Sequence, residues 1–553
     1  MASRSSLRRS GMVAGGILIL IVLVIAILAA THWPFSSAKV IQNFQETFPA
    51  TVTFQSFRST YFPHPGCVAE NIVFRRLGTS PDTPPIVTVQ RMTIQAQYLD
   101  FLFRPHHLSR IVLEGFHVHI PPMGTTVRDT GWRETPSKIM VSEVVADHSL
   151  VEIARADSDP LRFEIHAGSL KDVTRNSALS YSVKVHNPLP PGEIVSSGHF
   201  GPWNSDAPGQ TPFSGSYTFH DADLSVFHGI AGMLSSNDSF QGTLGRIEAN
   251  GSVDIPDFML THTKHAIHLS SQFHAFIDGT DGNVALERVT SRFLNTRVIS
   301  KGDITGRPGQ PGKIASIDFY VRDGRIQDVL RMFASAPKPG LNGATNFRAH
   351  VILPPQGGTF LQRVRLSGDF GINDAQFTKA TTQAGVDSLS ERARGEKPAK
   401  ADEPDDKDNV ISNLAGRVEL RNAVAHFSDL SFHVPGATAN MNGTYNLESR
   451  VIDLHGDLKT DAEFSQMTSG FKSVLLKPFN VFYKRKNHQG ADLPVHLIGT
   501  YEHPDPGLDI VGKKQPEKDA AGQQGPADKS SAPKSSASKS SADKSGSDKS
   551  AKK

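Results

Sequence analysis

The sequence predicts a mainly β protein: an elongated antiparallel sheet with a few short helices, one N-terminal transmembrane helix and a disordered C-terminal tail. Three observations carry this. Apolar and polar residues alternate at a period of two over most of the chain, the pattern of strands with one apolar face. Gly, Pro, Asn and Asp, the residues that turns use, punctuate the alternating runs. A single uncharged apolar run, GMVAGGILILIVLVIAILAA, occupies residues 11–30.

That run matches a hydrocarbon core of roughly 30 Å at about 1.5 Å per residue. Arg4, Arg8 and Arg9 precede it, and His32 and Trp33 follow at interfacial depth. It is longer than the apolar centre of a signal peptide, and Ile27-Leu28-Ala29-Ala30 is a poor cleavage site, so an uncleaved anchor is expected. The arginines place the N-terminus in the cytoplasm and everything after Trp33 outside it. Residues 38–48 (AKVIQNFQETF) then read as a short amphipathic helix with Val40, Ile41, Phe44 and Phe48 inward, ended by Pro49.

From there the period is two. Val87 and Val89 alternate with Thr88 and Gln90, and Met92, Ile94 and Ala96 continue the run. Phe116, Val118 and Ile120 alternate with His117 and His119 before Pro121-Pro122 closes that strand. Leu161, Phe163 and Ile165 follow, then Phe273, Ala275 and Ile277, then Ile317, Phe319 and Val321. Phe347, Ala349, Val351 and Leu353 form the next set. Leu430, Phe432 and Val434, and finally Leu493, Val495 and Leu497, complete the series. One-sided strands of this kind favour antiparallel meanders. Residues 282–302 and 416–443 both read as glycine, strand, turn, strand with a Phe, then a strand to another glycine. This loose repeat implies a sheet that grows by addition.

Helices are few: a turn or two at 328–334, a helix at 381–394 with Val386 and Leu389 inward, and an amphipathic helix at 461–476. Residues 396–408 (EKPAKADEPDDKD) read as a solvated loop. The net charge of +3 suggests no nucleic-acid partner. It is unevenly placed, since residues 513–553 hold ten Lys against five acidic residues, a surplus of +5 that leaves about −2 for the remainder. That tail lacks aromatic and branched apolar side chains, so burial cannot offset its ordering entropy. A single cysteine, Cys67, rules out an internal disulfide framework. The 32 Phe against 8 Tyr and 3 Trp favour the ring without a polar handle.

Chemistry is sparsely signalled. His117 and His119 share a strand face, and His262, His265 and His268 and the pair His106-His107 form further clusters, but none has a third ligand at predictable spacing. No metal site and no cofactor are expected. No nucleophile elbow, Walker loop or H-E-x-x-H occurs, Cys67 reads as a small apolar residue in a loop, and Asp221, Asp223 and Glu248 have no reason to pair, so an enzyme is not expected. Lys484-Arg485-Lys486 reads as a solvated basic loop.

An apolar sheet face must close on itself, pack on something or hold an apolar ligand. The ordered series helps choose: the anchor, the short helix, Thr51-Val52-Thr53-Phe54, Pro65-Gly66-Cys67-Val68, Asn71-Ile72-Val73-Phe74, Ile86-Val87-Thr88-Val89 and Ile111-Val112-Leu113-Glu114-Gly115. With Phe213-Ser214-Gly215-Ser216-Tyr217, Asp223-Leu224-Ser225-Val226-Phe227, Gly242-Thr243-Leu244, the stretch 430–458, the helix before Pro478, and Leu493-Pro494-Val495-His496-Leu497-Ile498-Gly499-Thr500, it resembles the AsmA family of Gram-negative envelope proteins. The resemblance implies an inner-membrane anchor at residues 11–31 after a cytoplasmic 1–10, and a periplasmic β-region over 35–377. A helix and charged loop at 378–409, a C-terminal β-region over 410–512 and a tail at 513–553 would follow. It implies a sheet curled into an apolar groove, similar to TamB-like and chorein-type bridge proteins, that binds and conducts phospholipid in support of outer-membrane assembly. The groove would be lined by Val87, Val89, Phe116, Val118, Ile120, Phe163, Phe273, Ile277, Phe319, Val351, Phe432 and Val495. The alternative is a non-catalytic scaffold whose sheet docks onto other envelope proteins.

Overall fold

The alternating runs form strands of one sheet. The computed structural model describes residues 34–47, 50–76, 84–104, 106–120, 139–154, 159–174, 177–204, 207–227, 229–307, 310, 312–334, 338–355, 358–396, 410–463, 490–501 and 503–509. The expected anchor, most of the charged loop, nearly all of the 461–476 helix, Lys484 to Lys486 and the tail lie outside these residues. No helix among the described residues is long and apolar enough to cross a membrane.

Helix α1 (Ser37–Thr47) precedes β1 (Ala50–Thr53) and β2 (Ser56–Thr60), and both strands pair with β3 (Gly66–Arg76). Next come β4 (Val87–Gln95), α2 (Tyr98–Phe103) and β5 (His107–Ile120). The sheet continues through β6 (Met140–Ile153), β7 (Leu161–Val173), β8 (Leu179–Pro188), β9 (Pro191–Phe200) and β10 (Phe213–Asp223). After the two-residue β11 (Ile230–Ala231) come β12 (Met233–Thr243), β13 (Arg246–Leu260), β14 (Ile267–Ile277), β15 (Val284–Phe293), β16 (Thr296–Gly306) and β17 (Lys313–Arg325). Helix α3 (Ile326–Phe333), β18 (Leu341–Leu353), α4 (Phe360–Arg363), β19 (Arg365–Phe377) and α5 (Ala380–Ala393) follow. The last strands are β20 (Ser412–Arg421), β21 (Val424–Val434), β22 (Ala437–Asn446), β23 (Val451–Thr460), β24 (Ala491–Thr500) and β25 (Pro504–Leu508).

Neighbouring strands pair antiparallel, with one departure from the expected meander. β5 and β6 run parallel, from His107↔Met140 to Ile120↔Ile153. A parallel pair requires a crossover, which a two-residue turn cannot supply. The two β-regions expected on either side of residues 378–409 are one sheet, since β19 pairs with β20 from Leu366↔Leu420 to Ala375↔Ser412. The repeat is uneven as well: residues 282–302 hold two strands where residues 416–443 cross three. Its closing glycines are nonetheless equivalent. A Cβ on Gly302 would lie 2.1 Å from the Ser316 carbonyl oxygen, and one on Gly443 2.0 Å from that of Asp453.

Among the described residues β25 pairs only with β24, and no strand joins it to β1 or β2, so the sheet curls without closing. Bulges supply bends. Asp323, Asp374 and Asp429 take φ of 54°, 52° and 52° at register shifts, a conformation short polar side chains tolerate. Each donates its N–H to an Asn Oδ1 on the adjacent strand: Asn346 at 2.9 Å, Asn413 at 3.2 Å and Asn442 at 3.0 Å. The curl also brings opposite rims together. A Cβ on Gly229 would meet Phe360 Cβ at 2.6 Å, and one on Gly340 would meet Tyr501 Oη at 2.8 Å.

Candidate functional site

Cross-strand register assigns every paired residue to one of two faces. One row of the first face runs Cys67, Ile94, Ile111, Val144, Leu170 and Tyr181, then crosses Gly198 and Gly215 to Phe240. It continues through Ala249, Ala275, Leu286, Gly302, Ile317, Val351 and Leu366 to Leu420. A continuous apolar face therefore runs from β3 into the last strands. The opposite face is polar: Thr290, Ile299, Tyr320, Arg348, Asp369 and Arg417 form one of its rows.

Register and packing together place the expected lining positions on the apolar face: in β3 to β6 the alternation reverses at Asn71, Gly115 and His148, with φ of 50°, 60° and 45°, and Val89 and Phe116 pack in one core with Ile94 and Ile111. Val87, Val118, Val151 and Phe163 stand in one row and Val89 opposite Phe116, with Ile120 on β5 beyond them. Phe273 and Ile277 lie on β14, Phe319 and Val351 on β17 and β18, and Phe432 and Val495 on β21 and β24. Only Val89 is core, at 2% exposure; Ile120 is 38% exposed and the others are half-buried. They do not fill a sandwich.

Helices cover part of this face. Val40 and Phe44 of α1 pack with Ile72, Val89 and Ile94, and Met332 of α3 packs with Leu260, Phe293 and Val321. Val386 and Ala393 of α5 pack with Ala439, Leu458 and Leu493. Between the α1 and α3 patches lies an aromatic group that no period-two run marks: Tyr181, Phe213, Tyr217 and Phe240, with Phe213 and Phe240 centroids 4.8 Å apart. Both tyrosine hydroxyls are tied down, Tyr181 to Ser196 at 3.1 Å and Tyr217 to Ser236 at 2.9 Å, and burial raises both phenol pKa values. The rings thus present carbon. Glycines make room for them: a Cβ on Gly215 would lie 2.6 Å from Tyr181 Oη and 3.1 Å from Phe240 Cζ, and one on Gly251 2.5 Å from Cζ of the neighbouring Phe273.

Histidines on the polar face pair with carboxylates rather than with each other. His119 contacts Glu152 at 3.1 Å, His186 contacts Glu193 at 2.8 Å, His274 contacts Glu248 at 2.9 Å and His350 contacts Asp318 at 2.8 Å. Hydrogen bonds from Arg162 to Glu152, from His186 to Glu193 and from His274 to Glu248 lower those carboxyl pKa values. Glu248 is therefore paired after all, on a strand and not in a turn. The 262–268 cluster disperses: His262 and His265 bind the Phe333 and Arg331 carbonyls of α3, and His268 binds Asp254. Among the described residues no group of His, Cys, Asp and Glu could hold a metal ion. Cys67 lies within β3, not in a loop, fully buried, and burial pushes its thiol up to about 12. It is inert.

One constellation was missed in the sequence. Asp100 Oδ2 contacts His107 Nδ1 at 2.8 Å, and His107 Nε2 contacts Ser142 Oγ at 2.9 Å. The order is that of a nucleophile relay. Ser142, however, sits inside β6, where its neighbours Val141 and Glu143 are in register with β7, so their N–H groups do not form an oxyanion hole. The three side chains clamp α2 and β5 to the start of the parallel pair. No family model matches the chain, and no curated protein or solved structure is significantly similar to it.

Proposed function

We propose that the chain is a non-catalytic envelope protein of the AsmA type, held in the inner membrane by residues 11–30, that binds phospholipid acyl chains on its apolar face and conducts them along it. The observation that carries this is the continuity of that face from β3 to β24, with most of the expected lining side chains half-buried and, among the described residues, no second sheet over it. Counted along the paired strands from β3 to β24 at about 4.8 Å per spacing, its contour is about 96 Å. Each CH₂ laid on it gains up to about 0.8 kcal/mol. The contacts are non-directional and repeat from strand to strand, so a chain can slide where a fitted pocket would hold it.

Native mass spectrometry of the detergent-extracted full chain tests this. Copurifying phospholipid is expected. A stoichiometric protein partner with no bound lipid would replace the reading with the scaffold alternative.

A further inference from the structure

We propose that the polar face of β16 to β19 carries an anion-binding site for phosphoryl groups. It lies on the other side of the sheet from the apolar face and stands independently of it. A cavity of about 820 Å³ opens at the Asp323 bulge, with Arg297, Tyr320, Arg322, Asp323, Arg348 and Asp369 among its lining residues. The register explains the convergence. Ile299, Tyr320, Arg348 and Asp369 stand in one row, while Arg297, two residues before Ile299, stands directly opposite Arg292.

The charges in this cavity are not balanced from within. Among the described residues the lining arginines Arg297, Arg322 and Arg348 make no ion pair, and neither does Arg292, which stands opposite Arg297 outside the lining. Asp369, the nearest cross-strand carboxylate to Arg348, is taken by Arg417, Nε to Oδ1 at 3.0 Å. That leaves Asp323 as the uncommitted acid in the lining, against three guanidinium groups. Like charges directly opposite on paired strands are destabilising, and a bound anion converts that repulsion into attraction. The Arg348 guanidinium lies 5.6 Å from the centroid of the Tyr320 ring, which holds it by cation–π attraction while its N–H edge stays available. Planar forks arriving from β16, β17 and β18 fit an acceptor with several oxygens on one atom, so a phosphoryl group suits them better than a carboxylate.

The group could belong to a soluble phosphorylated compound or to a lipid headgroup, and one experiment separates them. Tripolyphosphate is titrated into the full chain in detergent, for the wild type, for R297Q/R348Q and for K301Q. Lys301 is on the same strand and face but opposite Asp318, outside the cavity lining, so it controls for general charge. Saturable binding that weakens about tenfold or more in R297Q/R348Q and less than about twofold in K301Q is expected, with circular dichroism confirming that both fold. No saturable binding, or equal weakening in both variants, overturns the site. In the second arm the chain is mixed with phosphatidylcholine vesicles with or without phosphatidic acid. Binding selective for phosphatidic acid, lost in R297Q/R348Q and competed by tripolyphosphate, assigns the headgroup. Tripolyphosphate binding without vesicle selection assigns a soluble ligand.

Discussion

Replacing Val351 by arginine puts one charge on the apolar face, between Ile317 and Leu366 and away from the patches that helices cover. The position is half-buried, so the longer side chain has room to project from the sheet. An arginine facing hydrocarbon costs about 2–4 kcal/mol at its worst depth. If acyl chains must pass this point, that cost adds to the barrier, and at about 1.4 kcal/mol per tenfold it slows passage roughly 30- to 700-fold. Ser367→Arg is the control: Ser367 is exposed on the polar face of the next strand, opposite Glu419, and carries the same charge without touching the lipid path. The assay is transfer of fluorescent phospholipid between vesicles by the reconstituted full chain. V351R that folds and transfers lipid as fast as S367R would refute conduction along this face.

Other expectations concern the sheet itself. Gly251→Val forces its side chain against the Phe273 ring, costing about 1–3 kcal/mol, and amide exchange in β13 and β14 should accelerate accordingly; unchanged protection would contradict the packing. His107→Ala leaves the buried Asp100 carboxylate without its 2.8 Å partner and should loosen the start of β5 and β6 by about 1–3 kcal/mol. In the wild type a fluorophosphonate probe should leave Ser142 unlabelled, and labelling would reinstate a catalytic role. A third test is pH. The hydrogen bond to Asp509 raises the His455 pKa, so that contribution is complete below the ordinary value of 6.5 and fades as pH rises through the raised one. Bonds from His455 and His496 lower the Asp509 pKa, so its contribution is complete above 3.8 and fades as pH falls through the lowered value. β25 should therefore be best protected between about pH 4 and 6.5 and exchange faster at about pH 8. Equal protection at about pH 5 and 8, after correction for intrinsic rates, would count against the cluster.

Much of the fold was legible because a period of two determines both the element and its face. β4, β5, β14, β17, β18, β21 and β24 lie where the alternation falls, and the helices Ser37–Thr47, Ile326–Phe333 and Ala380–Ala393 match their apolar spacing within a residue or two. Strands such as β12 (MLSSNDSFQGT) carry polar residues on both faces and give no periodic signal. The parallel pair and the Asp100–His107–Ser142 clamp depend on pairing across a crossover, which local pattern does not encode: His107 and Ser142 are 35 positions apart. The opposed arginines had a local cue that went unread. Phe293 pairs with Thr296 across the turn residues Leu294 and Asn295, and this alone sets Arg292 against Arg297.

Among the described residues the sheet ends on a strand whose free edge is poor in donors. The Asp509 N–H reaches back to the Pro494 carbonyl, so odd-numbered residues of this strand point their amides inward and even-numbered ones point theirs outward. Two of the outward positions are Pro504 and Pro506, which have no N–H to offer. At the other end the edge is split between two pieces, β1 and β2, of four and five residues. A second copy arriving edge to edge finds a template it cannot extend. Among the described residues both edges therefore discourage end-to-end addition of a second copy, which favours a wall whose reach is fixed within one chain.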